Sequence, residues 1–186
     1  MKQLFTLLAF SAFTFIGFGQ NFEMNKDLND GTISYQGVIT ADSLTSSELI
    51  EMSSEWLKAA KFKQTLDSED LENNEKIFDI IYSVVGQKSE LGNAYNYRFS
   101  TKLKLEFKEG KVRYTFYEFK KKSSPGEPGM TMEAYIENYK PKISSTRSRE
   151  KAAVRLDEIE LDLHDQVNSV IHDLKETFKK EEKEEW

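Results

Sequence analysis

The 186-residue chain contains no cysteine. That excludes a disulfide framework, a thiol nucleophile, a cysteine-bearing metal site and a lipid-anchoring cysteine behind a leader, so the folded state must rest on its core. Histidine is almost as scarce. His164 and His172 are the only two, and eight residues along a helix sets them about 80° apart around its axis, whereas metal ligands on one helix face recur every three or four residues. Both are expected to face solvent, and no metal site is assigned. The nine glycines form no phosphate-cradling loop, no GxSxG elbow occurs, and no Cys and His pair exists. Asp157, Glu158, Glu160 and Asp162 lie on the polar side of a helical stretch, with nothing to suggest the enclosure that would separate an acid from a base. No catalytic residue and no cofactor is therefore assigned. Positive charge is short as well, with 26 Lys and Arg against 32 Asp and Glu and a formal charge of −6. Nucleic-acid affinity comes largely from phosphate neutralisation, so this balance argues against that partner.

What is present argues for folding. Hydrophobic residues make up 38% of the chain, with 13 Phe and 8 Tyr, and the length suits one domain with a sizeable core. The first nineteen residues read differently. A basic start at Met1-Lys2, an apolar run from Leu4 to Phe18 and small residues at Gly17 and Gly19 predict a secretory signal peptide, residues 1–19, cut before Gln20. The run is shorter than the ~20 residues that span a bilayer. Loss of Lys2 would take the formal charge from −6 to −7. The expectation is a periplasmic or secreted protein, soluble after cleavage and without a membrane span, whose residues 20–31 form a flexible N-terminus.

A single α+β domain is expected over residues 32–180. Thr32 to Thr40 reads as a strand with Ile33, Tyr35 and Ile39 on one face. Thr45-Ser46-Ser47-Glu48 fits a capping box and opens a helix to about Lys61, with Leu49, Trp56 and Ala60 at helical spacing. Gln64 to Glu75, acidic and rich in asparagine, reads as a loop. Lys76 to Val85 is a second strand, apolar on both faces and so interior to its sheet. Ser123 to Gly129 holds two of the three prolines and is read as a surface loop leading to a short fifth strand near Met130 to Ile136. From residue 145 to 180 the period becomes helical, with Leu156, Ile159, Leu163, Val167, Val170, Leu174 and Phe178 as the apolar stripe. Residues 181–186 form a polar tail ending in Trp186.

Tyr95 to Lys121 is the stretch around which this order is arranged: two alternating strands folded about Glu109-Gly110. The first arm puts Tyr97, Phe99, Thr101, Leu103, Leu105 and Phe107 on one face. The second arm alternates less cleanly. Burying a Leu or Phe contributes roughly 1.5–3 kcal/mol, more than a cross-strand polar pair at up to about 1 kcal/mol. A three-residue loop with Gly110 in a left-handed bulge would shift the register by one and set Arg113 and Thr115 against the leucines; burial favours the two-residue turn, with Phe107 opposite Val112, Leu105 opposite Tyr114 and Leu103 opposite Phe116. The opposite face then carries Arg98, Lys102, Lys104, Arg113 and Tyr117, the candidate binding residues.

The predicted order is β-α-β-β-β-β-α, an antiparallel sheet with two helices on one face and the other face open. The leader, the strand entering a helix with Leu49-Ile50-Glu51 and Trp56, the hydrophobic second strand and the Lys108-Glu109-Gly110-Lys111-Val112-Arg113-Tyr114 hairpin resemble the secreted bacterial domain-of-unknown-function family 4468. The resemblance spans roughly Thr32 to Ile136. It implies a fold like the TATA-box-binding protein and brings no activity, because that family has no established substrate or catalytic residues. The function expected is that of an exported, non-enzymatic binding or protein-interaction domain of the bacterial envelope, with an envelope protein or an anionic glycan as partner. The alternatives are a periplasmic hydrolase and a small-ligand or glycan-binding protein.

Overall fold

A computed structural model describes residues 32–59, 63–88, 94–122, 128–139 and 146–179. In chain order they form β1 (Tyr35–Thr40), α1 (Ser46–Ala59), β2 (Lys63–Asp70), β3 (Glu75–Lys88), β4 (Ala94–Lys108), β5 (Lys111–Lys122), β6 (Met130–Thr131), α2 (Met132–Tyr139) and α3 (Thr146–Thr177). The strands make one antiparallel sheet in the order β1-β5-β4-β3-β2, and β6 adds to β5 beyond β1. The predicted signal peptide, the N-terminus of residues 20–31, residues 123–127 of the proline-bearing loop and the tail with Trp186 lie outside the described residues.

One face of the sheet holds the core. Ile33, Tyr35 and Ile39 from the first strand region, Phe78, Ile80 and Tyr82 from β3, Phe99, Leu103, Leu105 and Phe107 from β4, and Val112, Tyr114 and Phe116 from β5 are all buried. The hairpin takes the register set by burial, with Phe107 opposite Val112, Leu105 opposite Tyr114, and Leu103 opposite Phe116. Gly110 occupies the left-handed region at φ +66°, which suits a residue without a Cβ. α1 and α3 cover this face. Thr45 and Glu48 close the capping box reciprocally, the Thr45 amide donating to the Glu48 carboxylate at 2.7 Å and the Glu48 amide to Thr45 Oγ1 at 3.3 Å. Every residue of the predicted α3 stripe is buried, from Leu156 to Phe178. Trp56 Nε1 donates to the buried Asp173 carboxylate at 2.8 Å, joining the two helices through a satisfied polar pair.

The structure differs from expectation in three elements. Gln64 to Glu75 is not a loop: most of it is β2, followed by a turn over residues 71–74. β2 has a partner on one side only, and nearly all of its side chains are exposed on both faces, so no alternation marked it. The Asp70 carboxylate organises the turn, accepting from the Glu72 and Asn73 amides at 3.1 Å each and from Asn73 Nδ2 at 2.7 Å. The fifth strand near Met130 to Ile136 is only the two residues of β6. The chain then turns into α2, whose first turn is capped by Thr131 Oγ1 accepting from the Ala134 amide at 3.3 Å. Met132, Tyr135 and Ile136, at helical spacing, join the core as a third covering helix.

The uneven alternation of β5 has a local cause. Between Ser100 and Lys102 the register slips, with Ser100 opposite Lys120 but Lys102 opposite Tyr117, so β5 carries one extra residue there. Glu118 takes the left-handed conformation at φ +54°, and Thr101 Oγ1 donates to the Tyr117 carbonyl at 2.7 Å. After this β-bulge the face parity reverses, and Phe119 is buried in place of residue 118. The tip of the hairpin is held by the start of α1: the Ala41 amide donates to the Gly110 carbonyl, the Gly110 amide to the Leu44 carbonyl, and Ser46 to the Glu109 carboxylate.

Candidate functional site

The face opposite the helices is where the candidate binding residues fall. Side chains alternate across a strand, so burial of Leu103, Leu105 and Phe107 sends Lys102, Lys104 and Glu106 the other way. Among the described residues no element packs on this side. Arg98, Lys102, Lys104, Arg113 and Tyr117 all lie on it, and the register sets Lys102 against Tyr117 and Glu106 against Arg113.

They do not form one positive patch. Lys102 Nζ lies 2.8 Å from Asp67 Oδ2 and 3.4 Å from Asp79 Oδ1. Lys104 Nζ lies 2.9 Å from Glu75 Oε1 and 3.8 Å from Glu106 Oε1, while Arg113 Nη1 is 3.7 Å from Glu106 Oε2. The result is a carboxylate and ammonium network across four strands. The hydrogen bond to Asp67, with Asp79 nearby, raises the Lys102 pKa, and the hydrogen bond to Glu75, helped by Glu106, raises that of Lys104. Burial raises the Tyr117 hydroxyl, against the pull of Lys102 and Lys104. Each of these partly exposed pairs contributes no more than about 1 kcal/mol. Asp67, Glu75 and Asp79 are the members that the sequence did not reveal, because two of them belong to or border β2, the strand without a periodic signal.

Cations without such partners sit at the two ends of the hairpin. At the tip, Lys108 opposes Lys111. At the far end, Arg98 opposes Lys122, beyond the bulge that turns Lys120 and Lys122 onto this face. Like charges directly opposed across strands are unfavourable. Among the described residues none of these four forms an ion pair. Lys120, by contrast, meets Glu118 at 2.8 Å. Beside the tip, Val38, Glu106, Lys108, Lys111 and Arg113 line a groove in the open face.

Elsewhere the chemistry is structural. His164 is not solvent-facing as expected: it is half-buried, with Nδ1 3.0 Å from the Tyr35 hydroxyl and Nε2 2.7 Å from Asn168 Nδ2. His172 is exposed. Glu160 leaves the polar helix side and is buried. Lys76, also buried, donates to the Ile50 carbonyl at 3.1 Å and Ser54 Oγ at 2.6 Å and meets Glu69 at 3.0 Å, tying β3 to α1 and β2. The Tyr82 hydroxyl is fully buried and has no hydrogen-bond partner among the described residues, and burial pushes its pKa far up. No group of three or more His, Asp or Glu suited to a metal occurs among the described residues.

Taken together, an antiparallel sheet backed by helices on one side only makes this an α+β fold. No protein-family model matches the chain, and no curated protein matches it. Solved structures share its fold. A DUF4468 family protein from Bacteroides ovatus ATCC 8483 is similar with a TM-score of 0.60 at 13% identity, over 83% of this chain and 90% of that one. A TBP-like protein from Parabacteroides distasonis ATCC 8503 is similar with a TM-score of 0.54 at 9% identity, over 82% of this chain and 96% of that one. The expected likeness to family 4468 thus holds at the level of the fold. No helix among the described residues is long and apolar enough to cross a membrane.

Proposed function

We propose that the chain is a non-enzymatic binding domain that works in the bacterial envelope after export and engages an extended anionic partner through the open face of its sheet. The observation that supports this reading most is the pair of opposed cations at each end of the hairpin, Arg98 with Lys122 and Lys108 with Lys111. Holding like charges opposite one another costs stability, and an anion placed between them would relieve it. Lys102 and Lys104 are occupied by internal carboxylates and act as scaffold. The two ends are about ten residues apart along β4, roughly 34 Å, which suits a polymer better than a small molecule. An anionic glycan satisfies that geometry, and an acidic protein segment is the other source of the same charge.

Calorimetry with polygalacturonate and, separately, polyglutamate at low salt tests this. Binding should weaken at least tenfold in the double variant Arg98→Glu, Lys122→Glu, weaken less than about twofold in Lys102→Ala, and fall steeply with salt, as counterion release requires. Preference for one polymer identifies the source. Absence of binding to both, or equal losses in the two variants, would end the reading. The groove beside Val38 and Arg113 favours a second one, a small anionic ligand or single sugar. In that case Arg113→Ala would abolish binding of monomeric galacturonate while Arg98→Ala would not.

A further inference from the structure

The two borders of the sheet are built differently. β2 carries Lys63, Asp67, Glu69 and Asp70 and is broken by a bulge between Leu66 and Ser68. Charges and bulges of this kind keep foreign strands from pairing with an edge. β1, with the sequence YQGVIT, has neither a charged residue nor a proline, and its register against β5 is unbroken.

The direction of its backbone groups follows from one hydrogen bond. The Ala41 amide donates to the Gly110 carbonyl at 2.8 Å, in continuation of the β1 and β5 register. Backbone groups of an antiparallel strand point alternately to its two sides, so Tyr35, Gly37 and Ile39 turn theirs towards β5. Gln36, Val38 and Thr40 then turn their N–H and C=O groups away from the sheet. Their side chains lie on the open face and are exposed, and Val38, at 56%, is the most exposed large hydrophobic among the strand residues whose side chains are described.

We propose that β1 is a self-pairing edge, at which two copies of this chain join β1 to β1 antiparallel, with Val38 on the two-fold axis. In that register Val38 meets Val38 of the second copy, and Gln36 meets Thr40 of the second copy on either side. All three are outward-facing residues, so each makes a hydrogen-bonded pair rather than a mismatch. The contact is isologous, as a two-fold requires. It also opposes no like charges: the nearest cations, Arg113 of each copy, stand three strand spacings apart, about 14 Å, beyond the screening length of about 8 Å at physiological salt. The same operation at β2 would set acidic residues against acidic residues. A six-residue edge buries less than the roughly 1,200 Å² of tight complexes, so the dissociation constant should be on the order of 100 μM.

Sedimentation equilibrium of the protein expressed from its full-length sequence, from about 10 μM to about 1 mM around that constant, should show a monomer passing to a dimer. Val38→Lys and Val38→Glu should each weaken the dimer at least tenfold, since each sets like charges opposite, while leaving the unfolding midpoint in place. Mixing the two variants in equal amounts should restore association as a heterodimer. Should either variant unfold, Gln36→Glu combined with Thr40→Lys puts opposite charges across both outer pairs and should tighten the dimer. A chain that stays monomeric throughout overturns the proposal. So does a dimer indifferent to Val38→Lys, or variants whose mixture does not associate.

Discussion

The two faces of β4 are made of neighbouring residues and held by different physics. Leu103 and Leu105 are fully buried, whereas Lys102 and Lys104, alternating with them along the strand, are partly exposed and paired with carboxylates from other strands. Each residue on the first face contributes through apolar area, roughly 1.5–3 kcal/mol apiece. Those on the second contribute through pairs of at most about 1 kcal/mol that salt weakens. One face therefore determines whether the chain folds. The other determines where charge is left over once it has.

Three measurements would break or sharpen that contrast. The largest effect is expected from Leu103→Asp, which places an unpaired charge in the core. Its cost should approach the whole stability of a domain, about 5–15 kcal/mol, and the thermal unfolding transition followed by circular dichroism should lose its cooperativity. A well-formed transition would refute the face assignment. A much smaller effect should come from Lys104→Asp on the other side. The structure makes it larger than an isolated surface change, because Glu75 and Glu106 then face a third carboxylate. A loss of about 1 kcal/mol is expected, shrinking when salt is raised to about 1 M, and a loss independent of salt would contradict the network. The smallest effect is in pH. Lys102 and Lys104 have folded-state pKa values above the ordinary lysine value. Their contribution is therefore complete below about pH 10.4, the unfolded value, and is lost as pH rises through the folded values. Unfolded tyrosine side chains titrate near the same pH, about 10, so the informative quantity is a difference. Wild type minus the double variant Lys102→Met, Lys104→Met should decline above that pH and stay flat from about pH 7 to 9. A flat difference at every pH would leave the lysines without a linked role.

Legibility in the sequence followed the same division. Where one face is dry and the other wet, period two or 3.6 marks the element, and the hairpin register, the capping box at Thr45 and the α3 stripe were all readable from it. β2 was not, because a strand at the sheet border with water on both faces has no reason to alternate. With β2 went Asp67, the carboxylate that occupies Lys102. Five candidate residues on the open face were thus identified by position, but not which of them were already neutralised. α2 escaped for a different reason: Met132, Tyr135 and Ile136 are too few to establish a period, and β6 before it is genuinely a strand. His164 was misplaced because its partner Tyr35 is 129 residues away, a contact that only the packing of α3 over β1 creates.

The bulge at Glu118 ties the two faces into one inheritance. It works as a slip of phase: upstream of it odd-numbered residues of β5 point to the open face, and downstream even-numbered ones do. Flattening the bulge while keeping that residue would exchange the surfaces beyond Tyr117, turning Glu118 inward, Phe119 and Lys121 outward and Lys120 and Lys122 inward. The same slip that hides a core phenylalanine puts Lys122 across from Arg98. Hence the cationic end of the hairpin cannot drift in sequence length independently of the core beneath it, and descendants of this chain can be expected to keep both or lose both.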